Sequence, residues 1–169
     1  MPVTLDPTVG GPTSNSYGSL AEAEAYFASR LYADAWTSVL SDDVKRQALI
    51  TATHRLEELP WRGTPTAIAQ RLAWPMIGEI DLRGDLVRSN EIPEAVKIAQ
   101  FETALDLLAV GKDPGATDPL ANFAALKVGP IAIQLRDTAP RTADTLRPAV
   151  WRLVGHWLDF TSGADFSRG

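Results

Sequence analysis

Four stretches of the sequence repeat apolar residues at the spacing of an amphipathic α-helix, and prolines and glycines separate them. Each stretch has a residue suited to begin a helix, either a hydroxyl side chain that caps the first turn or a proline at the first helical position. The predicted starts are Ser19, Ser41, Pro93 and Pro148. Pro60, Gly111 and Gly163 predict the ends of the last three. This pattern predicts helices that bury one another's apolar faces.

The apolar stripes also predict which side chains the helices bury. We expect the first helix over roughly residues 20–33, with Leu31 on its apolar face and Trp36 folded back onto it. The third helix is apolar around so much of its circumference that we place it at the centre. The second helix is expected to bury Val44, Ala48, Leu49, Ala52 and Leu56.

Two segments between the helices lack helical spacing. Residues 60–92 are rich in proline and glycine, and a turn at 83–85 predicts a small hairpin or an ordered loop. A Gly-Pro pair at 129–130 lies between two short alternating runs, which predicts a β-hairpin near 124–136. The predicted fold class is mainly α, a four-helix bundle-like domain with a small β-hairpin element and extended terminal arms.

The ends of the chain are predicted to lie outside this domain. Residues 1–18 are rich in proline, glycine, threonine and serine, and they are expected to form a flexible N-terminal arm. Such an arm either stays mobile or becomes ordered on a neighbouring subunit. Residues 19–158 form the predicted helical domain, and residues 159–169 form a C-terminal tail.

Composition narrows the possible functions. The chain has 169 residues, a net charge of −5 and no cysteine, which excludes disulfides, zinc–thiolate sites and thiol nucleophiles. A large affinity for any phosphate backbone is not expected, because such binding needs clustered lysine and arginine. No signal peptide and no membrane span is visible.

Candidate catalytic and metal-binding groups are few. The two histidines, His54 and His156, each precede an acid by three residues, Glu57 and Asp159. Di-iron bundles use the opposite order and two further glutamates, so we favour surface or capping roles for both histidines. No phosphate-binding loop or nucleophile motif is present. We therefore expect no enzyme activity, no cofactor and no metal.

The C-terminal third contains a cluster of basic and aromatic residues, which leaves two interpretations open. Binders of single-stranded nucleic acid combine basic grooves with stacking aromatics. The tryptophans, however, lie on the apolar stripe of the last helix, which favours core packing, and arginines also pair with acids on partner proteins. The residues concerned are Arg136, Arg141, Arg147, Arg152, Trp151 and Trp157.

An ordered set of short motifs resembles the head–tail adaptor (head completion or connector) family of tailed bacteriophages, which includes members described as DnaT-like single-strand-binding proteins. The resemblance is collinear over roughly residues 16–135, although no single motif is specific. The motifs are Ser16-Tyr17-x-Ser19 with Glu22-Ala23 and Tyr26-Phe27, Trp61-x-Gly63, Gln70-x-Leu72-x-Trp74-Pro75, Ile92-Pro93-x-Ala95-Val96-Lys97-x-Ala99, and Lys127-Val128-Gly129-Pro130-Ile131.

This resemblance implies a structural protein of the virion neck, made in the host cytoplasm. It implies a ring, typically of twelve subunits, that docks on the portal protein and extends the DNA channel toward the tail. The partners would be the portal, further copies of the chain and a downstream neck or tail-completion protein. Double-stranded DNA would pass through without specific binding, and no membrane is involved.

For the contacts with partner proteins we single out five residues of the C-terminal region: Arg147, Arg152, Trp157, Phe160 and Phe166. Interfaces are enriched in arginine and aromatic residues, and a ring joins two different faces of the subunit. A binder of single-stranded nucleic acid (DnaT-like) is the alternative function, and an unassigned enzyme is the least favoured.

Overall fold

The computed structural model describes residues 2–110 and 146–159, and between them the backbone of two strands. In chain order the elements are α1 (Leu20–Ala28), α2 (Asp34–Thr37), α3 (Asp42–Glu57), β1 (Thr64–Pro65), β2 (Met76–Ile77), α4 (Glu94–Val110), β3 (Ala125–Val128), β4 (Ile131–Gln134) and α5 (Pro148–Val154). A 3₁₀ turn, Gly155–Trp157, follows α5. The described part of the chain is therefore mainly helical, as predicted.

The strands form two antiparallel pairs, β1 with β2 and β3 with β4. The second pair lies where a hairpin was predicted, with Val128 opposite Ile131. In the 60–92 segment, Ile80 also bridges to Leu86 around the predicted turn. The bundle arrangement of the helices and the extended arms remain predictions.

Helix α1 is shorter than the pattern predicted. Its capping box forms as expected, with the Ser19 N–H donating to Glu22 Oε2 over 2.7 Å. The helix ends at Ala28, however, and the backbone turns at Tyr32, which has a φ of 59°. This turn leaves Leu31 78 % exposed, contrary to its predicted place in the apolar stripe. It also brings Trp36 back to stack on Phe27 at 4.6 Å between ring centroids, as predicted.

Helix α3 buries most of its predicted stripe, but its first turn is rotated away from the core. Leu49, Ala52 and Leu56 are fully buried, whereas Val44 is 40 % exposed. Lys45 takes the inward position instead, because its Nζ lies 5.3 Å from the centroid of the Trp36 ring and 2.6 Å from Glu24. The stem of the lysine covers the indole while its charge is paired.

The buried side chains form two clusters along the antiparallel α3–α4 pair. The first, here called the helical core, comprises Ala23, Phe27, Ala33, Trp36, Ala48, Leu49, Ala52, Phe101, Ala104 and Leu105. The second, here called the loop core, comprises Tyr17, Leu56, Leu59, Leu72, Trp74, Met76, Val87, Ile92, Val96, Ala99, Leu146, Val150, Val154, Trp157 and Leu158. Helix α4 contributes to both clusters, in agreement with its predicted central position.

The N-terminal segment lies against the domain through specific bonds. The Val3 N–H donates to Asp43 Oδ1 over 3.3 Å, and the Gly18 N–H donates to the buried Gln100 Oε1 over 2.8 Å. Tyr17, at the end of the predicted arm, is 1 % exposed and belongs to the loop core. Where the arm, the domain and the tail divide remains a prediction.

Candidate docking surfaces

Of the five predicted contact residues, two lie on the described surface. Arg147 immediately precedes α5, is about half exposed, and forms an ion pair with Asp106 of α4. Arg152 is exposed on α5. Phe160 and Phe166 lie outside the described residues.

Trp157 is 1 % exposed and is held by the loop core. Its Nε1–H donates to the Ile80 carbonyl over 2.8 Å, and its ring meets Trp74 edge-on at 4.8 Å. These contacts fix the Ile80–Leu86 turn to α5. Trp157 therefore positions the Ile80–Leu86 turn, and little of its own ring is accessible to a partner protein.

A surface depression, here called the α4 groove, lies along α4. It consists of two adjoining cavities of about 530 and 560 Å³, which share Glu94 and Ile98. The first lies between α1 and α4, and the second lies between α4, α5 and the Ile80–Leu86 turn. Its apolar lining includes Ile92, Ile98, Phe101, Leu82, Leu86, Val87, Leu153 and Trp157.

The polar lining of the α4 groove is acidic. Its five carboxylates outnumber its two cations, which leaves a net charge of −3. They are Glu22, Asp81, Asp85, Glu91 and Glu94 against Arg83 and Lys97. Although burial raises the pKa of Glu22, the bonds from Lys97 Nζ at 2.6 Å and from Ser19 outweigh it and lower the pKa to about 2. Glu22 therefore keeps its charge, and the excess of carboxylates over cations in the groove disfavours phosphate.

His156 stands in the wall of this groove without hydrogen bonds to other described groups. Both of its ring nitrogens are buried, and the ring lies 3.9 Å from the Trp157 ring. Burial, and secondarily the charge of Arg62, lowers the pKa of His156, so the imidazole is neutral at pH 7. A neutral imidazole has one donor and one acceptor, and both are unmatched here.

A second surface, here called the 62–71 loop, has the opposite character. Residues 61–78 include Arg62 and Arg71 and no acid. Ile68, at the tip, is completely exposed. The side chain of Gln70 holds the loop in shape, because its Nε2 donates to the carbonyls of Leu72, Ala73 and Pro75 and its Oε1 accepts the Ala67 N–H, all within 3.1 Å.

A buried amide links the two cores behind these surfaces. Gln100 Nε2 lies 2.7 Å from Ser16 Oγ, 3.0 Å from the Leu49 carbonyl and 2.8 Å from Thr53 Oγ1, while its Oε1 accepts the Gly18 N–H. The helical pattern alone does not predict this role of Gln100, although a lone amide among the apolar residues of α4 is a usable signal in the sequence. Glu57, which the sequence places three residues after His54, is a further acceptor, and it is half-buried. Its carboxylate accepts hydrogen bonds from the Ala73 N–H and the Tyr17 hydroxyl.

The described residues offer little of what binders of single strands use. Trp36, Trp74 and Trp157 are at most 1 % exposed, and Tyr32 is the most exposed aromatic side chain in the described part, at 87 %. Within the same part, no group of three histidine or acidic side chains could hold a metal ion. No helix in the described ranges is long and apolar enough to cross a membrane.

Comparison with known proteins gives one family. Its description reads "Putative DnaT-like ssDNA binding protein", and its sequence model matches residues 1–168. No curated protein and no solved structure matches the chain. The wording of the description agrees with the alternative function in the sequence analysis, single-strand binding, better than with the adaptor. Because the match covers almost the whole length, the chain belongs to this DnaT-like family.

Proposed function

We propose that this protein is a structural subunit of a tailed-phage neck, a head–tail adaptor that forms a ring on the portal protein. The observation that carries this proposal is the α4 groove, which combines an apolar floor with a net charge of −3. An apolar groove with an acidic rim fits a protein segment, because burial of apolar area drives association and charge selects the partner. The same charge disfavours a nucleic-acid backbone.

Other features support a role in assembly. Several large apolar side chains project into solvent, and two of them, Leu82 and Leu86, line the α4 groove. Leu31, Leu40, Ile68, Leu82 and Leu86 are each at least 71 % exposed. In this proposal the partners are the portal, further copies of the chain and a downstream neck protein. The acidic net charge keeps DNA moving through the channel, and the protein catalyses no reaction.

Electron microscopy of the purified portal, with and without this protein, tests the proposal. We expect an added ring of density at the outer end of the portal, in continuity with its channel. The two negative controls are the portal alone and the portal with an unrelated acidic protein of similar size. Unchanged portal particles at high concentrations of this protein would refute the adaptor function.

Binding of single-stranded DNA is the second candidate, because the family description names it. Its best location in the described part is α5, where Arg147 and Arg152 are exposed beside the half-buried Trp151. Fluorescence anisotropy of a labelled oligonucleotide tests this. Single-strand binding predicts micromolar or tighter affinity that falls with salt and falls further in Arg147→Glu/Arg152→Glu. The adaptor function predicts no measurable binding in either protein at physiological salt.

A further inference from the structure

We infer that the 62–71 loop of one copy of this chain docks into the α4 groove of a second copy. This contact rests on the proposed ring and gives it a specific subunit interface. It joins two different surfaces of the same molecule, so repetition produces a head-to-tail assembly.

The loop has the properties of an inserting element. Ile68 at its tip is completely exposed and does not occupy the groove of its own molecule. Thr66 Oγ1 donates to the Ser89 carbonyl over 2.8 Å and the Thr66 N–H to the Pro75 carbonyl over 3.0 Å, which fixes the base of the loop. A loop that is already ordered loses little conformational entropy when it binds.

The groove has the properties of the receiving surface. Its two cavities, of about 530 and 560 Å³, are open to solvent and have room for an inserted side chain. Leu82 and Leu86, both 71 % exposed, form an apolar rim that a docked isoleucine would cover.

Charge identifies the occupant as a second copy of this chain. The groove carries −3, and the segment 61–78 carries two arginines and no acid. The nearest ion-pair partner of Arg62 is Glu79 at 3.9 Å, at the limit of such contacts, and the Arg62 side chain is 58 % exposed. Arg71 is exposed and can therefore face acids of a neighbouring subunit, whereas Arg62 lies near His156 of its own copy.

Cysteine cross-linking tests the contact cleanly, because the chain has no cysteine of its own. We expect Ile68→Cys/Leu86→Cys to form a ladder of disulfide-linked oligomers under mild oxidation. Each single variant should stop at a slow dimer. The matched control is Leu40→Cys/Leu86→Cys, in which Leu40 is 97 % exposed but lies at the start of α3, outside both surfaces. Cross-linking of the Ile68 pair no faster than the control pair would overturn the inference.

A charge test examines the same contact. Added to the Ile68→Cys/Leu86→Cys background, Arg71→Glu should slow cross-linking about tenfold, equivalent to the loss of about 1.4 kcal/mol. Arg46→Glu, distant in sequence from both surfaces and half-buried on α3, should change the rate little. Circular dichroism confirms that both variants are folded. Equal rates for the two variants would contradict the charge argument and with it the identity of the occupant.

The outcomes separate this contact from the proposed function. Cross-linking is performed on the free protein at high concentration and again with the portal present. A ring on the portal without Ile68–Leu86 cross-links overturns the contact and leaves the adaptor function. Ladders on the free protein without any ring on the portal support the contact and refute the adaptor function.

Discussion

The helical core and the loop core are built by different means. In the helical core, residues spaced at helical intervals on α1, α3 and α4 meet around an aromatic group made by Phe27, Trp36 and Phe101. In the loop core, Trp74 comes from an irregular segment and Trp157 from the 3₁₀ turn after α5. They are 83 positions apart in the chain, and their rings meet edge-on. The difference matters for the docking surfaces. The 62–71 loop and the second cavity of the α4 groove border the loop core, whereas the first cavity, lined by Phe101, borders the helical core.

Replacing one buried tryptophan in each core tests this difference between the cores quantitatively. Trp74→Ala and Trp36→Ala should each lower the free energy of unfolding by about 3–5 kcal/mol, because both remove a large and fully buried side chain. Hydrogen exchange then locates the loss. We expect Trp74→Ala to expose amides of the 70–90 region first, and Trp36→Ala to expose those of α1 and the start of α3.

Uniform loss of protection in both variants would break the distinction, since it would mean that the two cores unfold as one cooperative unit. Trp61→Phe is a useful control within the loop core. Trp61 is half-buried, and its ring lies 6.0 Å from that of Trp74, so its replacement by a smaller ring should cost clearly less.

Gln100 joins the two cores, and its removal should have the next largest effect. Gln100→Leu keeps the approximate size of the side chain but leaves the buried Gly18 N–H without its acceptor. An unsatisfied buried donor costs about 1–3 kcal/mol, and Ser16 and Thr53 lose a partner as well. Urea unfolding should show this loss, whereas Gln47→Leu on the exposed side of α3 should change stability by less than about 0.5 kcal/mol.

The two cores also differ in how well the sequence predicts them. Periodicity identified the helix starts and the central position of α4, because side chains three and four residues apart share a face wherever the helix packs. It missed the early end of α1, because a turn at Tyr32 with positive φ has no periodic signal. It also gives no sign of the contacts of Trp61 with Leu158 and of Trp74 with Trp157, because these depend on long-range closure of the chain.

The candidate surfaces were less predictable than the fold. Arg147 and Arg152 do lie on the surface, but Trp157 is buried because it closes the loop core. The α4 groove draws its lining from α1, α4, α5 and a turn, so no local pattern could reveal it. The sequence identifies the 62–71 loop as part of a proline- and glycine-rich segment. Its lack of acids indicates a docking role only once the acidic groove is known from the structure.

Glu57, at the end of α3, gives the loop core a pH dependence. Burial raises the pKa of Glu57 above its usual value, so the folded state binds more protons than the unfolded state in the window just above pH 4.5. This contribution to stability is therefore complete below that window and is lost as the pH rises through the folded-state pKa. Glu57→Gln keeps an acceptor for the Ala73 N–H and removes the titration.

We expect the stability difference between Glu57→Gln and the unsubstituted protein to increase with pH above about 4.5 and then level off. Urea unfolding followed by tryptophan fluorescence at several pH values measures this difference. Glu58→Gln, the adjacent exposed acid, serves as the matched control and should show a flat difference. A flat profile for Glu57→Gln would mean that this carboxyl is solvated in the folded protein.

The smallest expected effect is that of a substitution at Val44. It tests whether the start of α3 is buried, as the periodic pattern predicts, or exposed, as in the structure. The pattern placed Val44 in the buried stripe, which predicts a large penalty for a charge there, whereas the structure leaves it 40 % exposed at the third position of the helix. Val44→Glu would put an acid three residues after Ser41, as in a capping box, and near the positive end of the helix dipole. We therefore expect the free energy of unfolding to change by no more than about 0.5 kcal/mol.

Ala48→Glu is the contrasting variant. Ala48 lies one turn later and is only 7 % exposed, so the substitution should lower the free energy of unfolding several times more, because it buries a charge in the helical core. Similar large losses for both variants in urea unfolding would show that the first turn of α3 faces inward, and that Lys45 does not cover Trp36.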